Sequence, residues 1–182
     1  MMHKKTALIV VDMVKGFLYP EVNGKKCALY VKGAMSIIPE IKKEVCKLER
    51  DDIIICMCDS HCKYDHEFKN WPEHCINESG EDELIEEFKN DIYNNRELFV
   101  MSKYRFSSFF GSGLEERLVI GNIDRVIITG VCTEFCVFAT ALDAAYRDYD
   151  VIIPRKCVYP FNKKLGEQKL EYLQKFLGVK IK

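Results

Sequence analysis

RVIITGVCTEFCVFATALD, residues 125–143, carries two structural signals joined at one glycine. Val126, Ile127 and Ile128 form a short β-branched apolar run, as expected of a strand buried on both faces. Gly130 permits a tight turn at its end. Beyond it, Val137, Phe138, Ala141, Leu142 and Ala145 recur at helical spacing. A helix is therefore expected from Thr133, with Thr133 as its N-cap and Glu134 near the positive end of its dipole. Cys136 then falls in the first turn, where unpaired backbone N–H groups and the dipole favour a thiolate, the form of cysteine that attacks electrophiles.

The remaining segments read as further units of the same kind. Thr6 to Val11 and Ile53 to Cys58 are apolar runs of strand length, and Leu98 to Met101 is a strand reaching Ser102 and Lys103. Asp150 to Ile153 and Val179 to Ile181 supply two more. Helices are expected over Ala34 to Arg50, with Pro39 tolerated only near the first turn, and over Glu81 to Asp91, Ser112 to Ile120 and Leu165 to Leu177. Met13 to Val31, with its Gly, Pro and Asn turn signals, reads as a loop. Strands alternating with helices along the whole chain predict a three-layer α/β/α fold of Rossmann-like type, with a mainly parallel sheet of about six strands. The length of 182 residues fits one domain, residues 1–182.

With 27 basic against 28 acidic residues, the net charge of -1 gives no electrostatic case for nucleic acid or anionic membrane. Small molecules and a second copy of the chain, as a homo-oligomer, are the expected partners. No apolar run reaches the length of a membrane span, and Met1 to Lys5 shows no signal-peptide pattern, so a cytoplasmic location is expected. Nine cysteines in such a chain are expected to be reduced thiols rather than a disulfide framework.

Ligands of open parallel sheets bind beyond the carboxyl ends of the strands. Four strand ends here carry chemistry: Asp12, then Asp59 with His61, then Lys103, then Cys132 and Cys136. The architecture would gather them on one rim. A lysine lowers the pKa of a neighbouring thiol, and a carboxylate can carry its proton to a leaving group, so the set reads as a nucleophilic site acting on a carbonyl carbon. Taken singly, each residue has an ordinary role: a cap for Asp12, a solvated charge for Lys103, core packing for a buried cysteine. Their joint placement at strand ends favours the site. Between Cys132 and Cys136, periodicity alone does not choose.

These residues match a known pattern. VVDMVKGF around Asp12, DSHCKYDHEFKNWPEHC from Asp59 to Cys75, KYRFSSFF from Lys103 and GVCTEFCVFATALDA around Cys136 occur in the order found in the isochorismatase-like cysteine hydrolases. The chain resembles that family over nearly its whole length, and its metal loop resembles that of the nicotinamidases, also called pyrazinamidases, which hydrolyse nicotinamide to nicotinate and ammonia. The resemblance implies a triad of Asp12, Lys103 and Cys136, and an oxyanion hole made by the backbone N–H groups of Cys132 and Cys136. It implies a cis peptide between Val131 and Cys132 and an aromatic-amide pocket using Phe17, Trp71 and Val131. It also implies one divalent metal ion, zinc with iron or manganese as alternatives, held by Asp59, His61 and His74. His66 is the natural fourth ligand, with Glu67 or a water as the alternatives.

The chain departs from the family where MVKG follows Asp12, where NESGEDE follows the metal loop, and around Lys156. These departures touch the shape of the pocket and leave every implied catalytic group in place. Three other readings compete. A related hydrolase acting on another small amide or carbamoyl group would share the triad. A non-catalytic zinc module would use Cys56, Cys58, Cys62 and Cys75, although structural zinc sites favour paired C-x₂₋₄-C knuckles. A thiol redox protein would use Cys132 and Cys136, whose spacing is not C-x-x-C.

Overall fold

The structure is a computed structural model that describes residues 4–89 and 98–182. His3, and the end of the helix expected at Asp91, lie outside the described residues.

The chain opens with β1 (Thr6–Val11), six residues all buried. Ala7, Ile9 and Val11 pack on one side of the sheet and Leu8 and Val10 on the other, so the run is apolar without interruption because both faces are covered. Each such Leu, Ile or Val removed from water contributes about 1.5 to 3 kcal/mol. The segment expected as a loop folds into a short helix, α1 (Lys15–Leu18), and a two-stranded hairpin, β2 (Glu21–Val22) with β3 (Lys25–Lys26). The following helix begins as a 3₁₀ turn at Ala34–Ile37 and continues as α2 (Ile38–Cys46), with Pro39 in its first turn. It ends short of Arg50.

Next come β4 (Ile53–Asp59), then one helical turn, α3 (Glu86–Lys89), and β5 (Leu98–Lys103), whose final residue is the lysine. The second half supplies α4 (Leu114–Ile120), β6 (Arg125–Val131), a π-helical turn at Thr133–Val137 running into α5 (Phe138–Ala145), and β7 (Asp150–Ile153). It closes with β8 (Val158–Tyr159), α6 (Lys163–Leu177) and β9 (Lys180–Ile181).

The main sheet has seven strands, in the order β5-β4-β1-β6-β7-β9, with β8 pairing the end of β6. All of its pairings are parallel. The count exceeds the expected six because β8 is a two-residue strand, too short to leave a periodic signal. Residues of α4, α5 and α6 cover one face, and α2 with Leu84, Ile85 and Phe88 covers the other. The strand order runs outward from β1 through β4 to β5, then returns to place β6 on the opposite side of β1. The crevice at this reversal is where such sheets bind ligands. Gly130 is required there: at φ 107°, an added Cβ would lie 1.9 Å from the Val11 carbonyl oxygen. Among the described residues no helix is long and apolar enough to cross a membrane.

Candidate active site

The sheet register brings the strand ends together. Asp59 sits opposite Lys103 across β4 and β5, and Val11, just before Asp12, is paired with both Met57 and Gly130. Asp12 follows β1 with a left-handed φ of 54°, a conformation Asp tolerates better than most residues, and its N–H donates to the Met57 carbonyl at 2.8 Å.

Lys103 is the hub. Its Nζ lies 2.9 Å from Asp12 Oδ2, 3.2 Å from Asp59 Oδ1 and 3.5 Å from Cys136 Sγ, and it donates to the Arg105 carbonyl at 3.1 Å. Asp12 and Cys136 thus share one ammonium between them. Asp12, Lys103 and Cys136 are all buried. Cys132 makes no such contact with the lysine, so geometry separates two cysteines that periodicity could not. The structure contains the cis peptide expected between Val131 and Cys132.

The electrostatics depart from one expectation. Burial, with the Asp12 charge added to it, pushes the Cys136 thiol well above its ordinary pKa, and Lys103 only partly opposes this. The thiol is therefore held in its protonated form and must lose its proton to a base beside it. Asp12 is suited to that task. Burial raises its carboxyl to about 6, against the pull of Lys103, with Asp59 adding to the rise. Burial works against the Lys103 charge too, but Asp12 and Asp59 raise its pKa well above the ordinary lysine value, so it stays an ammonium. Asp59 is held in the opposite sense to Asp12: although burial acts to raise it, Lys103 and hydrogen bonds from His61 and His74 keep it far below the usual carboxylate range.

The local winding that presents Cys136 differs from the expected α-helical start. Thr133–Val137 form a π turn in which the Val137 N–H reaches back five residues to the Cys132 carbonyl at 3.2 Å. Such wide turns recur at functional sites. The N-cap is Cys132, and Thr133 makes no side-chain cap. Glu134 is committed elsewhere, accepting from the backbone N–H groups of Phe161, at 3.1 Å, and Asn162.

Asp59 turns its second oxygen to the histidines, 3.1 Å from His61 Nε2 and 3.3 Å from His74 Nε2. The ligand atoms of Asp59, His61 and His74 lie within 4.8 Å of one another, and all three residues are buried. The donors suit a divalent ion. His74 Nδ1 lies 2.7 Å from the Pro72 carbonyl, which fixes the tautomer with Nε2 free to ligate, and His61 Nδ1 lies 3.2 Å from Asp65 Oδ2 in the carboxylate–histidine arrangement of metal sites. Asp65 also accepts from Arg105, at 2.8 and 3.0 Å, and from the Glu67 N–H at 2.9 Å. Sequence reading missed Asp65 and Arg105. Two residues of opposite charge flanking the motif residues His61 and Lys103 were the available signal.

His66 does not join this group. It is exposed, and lines a separate groove with Cys62, Tyr64 and Tyr104. Its neighbour Glu67 faces the cleft with Asp59 and His74, and burial raises its pKa. In a tight 3₁₀ turn, Asp65-capped, adjacent residues project in different directions, so Glu67 faces the cleft while His66 faces solvent. Among the described residues no cysteine enters a metal-ligating group, and Cys56 and Cys58 lie within β4, which removes the zinc-module reading. None of the nine cysteines is in a disulfide.

A cleft opens above Cys136, lined by Phe17, Leu29, Trp71, Phe106, Phe135 and Phe161, with Asp59, Glu67 and His74 at its polar end. Trp71 meets Phe135 and Phe106 edge-on at 5.3 and 6.0 Å, and Phe17 lies 5.8 Å from His74. Val131, expected in the pocket, is instead fully buried in the core beneath α2. It ends the strand, and its side chain points into the packed layer. Phe106, Phe135 and Phe161 were missed because aromatic residues this far apart in sequence give no sign that they converge.

A three-layer parallel α/β domain, with a buried acid, lysine and thiol at its strand reversal, belongs to a recognisable class of hydrolase folds. The chain is a member of the isochorismatase family: residues 6–181 match the model of the isochorismatase domain. The pyrazinamidase/nicotinamidase of Streptococcus mutans superposes with a TM-score of 0.84 at 28% identity, covering 98% of this chain and 100% of that one. The pyrazinamidase of Pyrococcus horikoshii in complex with zinc gives 0.82 at 30% identity, covering 98% of each. A curated relative, the uncharacterized isochorismatase family protein PncA of Bacillus subtilis, is 26% identical over 97% of this chain and 98% of its own length.

Proposed function

We propose that this protein is a nicotinamidase, hydrolysing the carboxamide of nicotinamide to nicotinate and ammonia through a thioester on Cys136. The observation that carries the proposal is the cleft whose lining joins the Cys136 thiol and a slot of aromatic side chains to Asp59 and His74, with the Asp12–Lys103 pair buried beside the thiol and His61 beside Asp59. A flat, uncharged aromatic amide matches the apolar, aromatic character of these walls.

In the first half-reaction Asp12 takes the thiol proton as sulfur bonds to the amide carbon. Lys103, close to both groups, holds Asp12 as the carboxylate and offsets the charge that develops on sulfur. The carbonyl oxygen becomes an oxyanion, which the backbone N–H groups of Cys132 and Cys136 stabilise. The carbon–nitrogen bond then breaks as Asp12 returns its proton to nitrogen, releasing ammonia and leaving the thioester. In the second half Asp12 accepts a proton from water, the hydroxide bonds to the carbonyl carbon, and the carbon–sulfur bond breaks to give the acid and regenerate the thiol. Asp59, His61 and His74, with Glu67 beside them, would hold a divalent ion, zinc or alternatively iron or manganese, which when bound supplies a Lewis-acidic anchor for the pyridine nitrogen. Phe17 and Trp71 flank the ring.

The test is ammonia release from nicotinamide by zinc-loaded protein, compared with Cys136→Ala and with chelator-treated enzyme. Turnover is expected only in the loaded parent. Absence of turnover there overturns the substrate, and retained turnover in Cys136→Ala overturns the mechanism.

A further inference from the structure

Glu134 lies between the two cysteines of the nucleophile turn, yet its carboxylate takes no part in the chemistry just described. It is only 3% exposed. Its two oxygens accept the successive backbone N–H groups of Phe161 and Asn162, which belong to the crossing between β8 and α6. Asn162 in turn caps α6, its Oδ1 accepting from the Leu165 N–H at 3.1 Å. The crossing is closely packed as well: a Cβ added at Gly166 would lie 2.7 Å from Pro160 and 3.5 Å from Thr133. The backbone of residues 160–162 is thus fastened to the same π turn that presents Cys136.

Phe161 is what this fastening holds over the cleft. Its side chain lines the aromatic slot, although 57% of the residue is exposed. It also forms one wall of a neighbouring groove with Tyr30, Lys32 and Lys163. A side chain this open has little packing of its own to fix it. Its place is set through its backbone, and charge-assisted bonds from N–H groups to a buried carboxylate are about twice as strong as neutral ones.

The geometry points to Glu134 as a positioning residue: it fixes Phe161 as the outer wall of the slot and thereby sets the affinity for aromatic amides. The inference rests on reading the cleft as the place where an aromatic amide is hydrolysed. Phe161 acts on the ring and not on the reacting carbon, so its contribution appears in substrate binding.

Kinetics of nicotinamide hydrolysis by the metal-loaded parent, Phe161→Ala, Glu134→Gln and the double variant test it. Glu134→Gln keeps the shape and one acceptor oxygen but turns an N–H donor against a backbone N–H. Each single change is expected to raise KM roughly tenfold, the scale of one lost aromatic contact, with kcat within about threefold of the parent. The double variant should be no worse than the weaker single variant, because both changes remove the same wall. Unchanged KM in Glu134→Gln, or losses that multiply in the double variant, overturn the inference.

A second readout does not depend on nicotinamide being the substrate. Alkylation of Cys136, in which sulfur bonds to the CH₂ carbon and chloride leaves, is followed at that residue by mass spectrometry with chloroacetamide and with N-benzylchloroacetamide. The parent should react faster with the benzyl reagent, and both single variants should lose that preference while their rate with chloroacetamide is kept. A preference retained in Glu134→Gln overturns the inference, whatever the parent does with nicotinamide.

Discussion

The ammonium of Lys103 lies 2.9 Å from the carboxylate of Asp12, and both side chains are sealed from solvent. A buried ion pair is only as good as its completeness, since removing one partner strands the other charge in a poorly polarisable interior. Here the lysine offsets two carboxylates at once, Asp12 and Asp59.

Lys103→Met should therefore be costly for the fold as well as for the reaction. We expect a loss of about 3 to 5 kcal/mol in urea unfolding at pH 8 and no measurable turnover. The loss should be smaller at pH 5, where Asp12 binds a proton and one stranded charge disappears. Equal stability of variant and parent at pH 8 would contradict the central role of the pair.

The Asp12 carboxyl, raised to about 6, must be ionised to take the thiol proton. With metal saturating, kcat/KM should be flat above that value and fall about tenfold per pH unit well below it. A profile level from pH 8 down to pH 5 would remove Asp12 from the role of base.

Asp65 orients His61 and is itself held by Arg105. Loss of such an outer partner ordinarily weakens metal binding by about 10- to 100-fold. Asp65→Ala should show this drop in zinc affinity by chelator competition, and Arg105→Ala a smaller one. Parent-like affinity in Asp65→Ala would mean that the His61 ring is fixed by its packing alone.

Far from the cleft, Asp150 gathers Lys180 at 2.5 Å, Arg125 at 3.0 Å and Lys4 at 3.3 Å. Burial acts to raise its carboxyl, but hydrogen bonds from these three cations hold it well below the usual range. A carboxyl lowered on folding stabilises the native state above its unfolded pKa of about 3.9, and that contribution is lost as pH falls through the folded value. Asp150→Asn should cost about 1 to 2 kcal/mol at pH 7, with the gap to the parent narrowing below about pH 4. A gap independent of pH would assign the loss to packing.

Much of the framework could be read in the sequence because burial on both faces leaves an uninterrupted apolar run. β1, β4 and β6 stand where TALIVV, IIICMC and RVIIT predict them, and chemistry placed directly after a strand, as at Asp12 and Asp59, inherits its position from the sheet. Lys103 followed for the same reason. Legibility failed where tertiary contacts decide the local form. The π turn in place of an α-helical start has no compositional mark, and Glu134 reads as a helix-dipole residue until Phe161 and Asn162 are seen against it. Adjacent residues of one short turn, His66 and Glu67, were divided between solvent and cleft by a backbone winding that the sequence does not specify. The raised thiol belongs to the same class, because burial is a property of everything packed around Cys136 and not of its own segment.

The π turn also bears on how this stretch can change by mutation. A hydrogen bond from Val137 back to Cys132 encloses one residue more than an α-helical turn would. Deleting a single residue between the two cysteines would let the turn close with ordinary α-helical winding, and the side chains from Val137 onward would keep their phase, because the wide turn is what absorbs the extra residue. The change would be confined to the turn itself, where Cys136 and the backbone of Cys132 border the same cleft. A one-codon deletion there would thus disturb the surroundings of the nucleophile while sparing the core contacts of Val137 and Ala141, so the extra residue of CTEFC serves the site and not the packing of the helix.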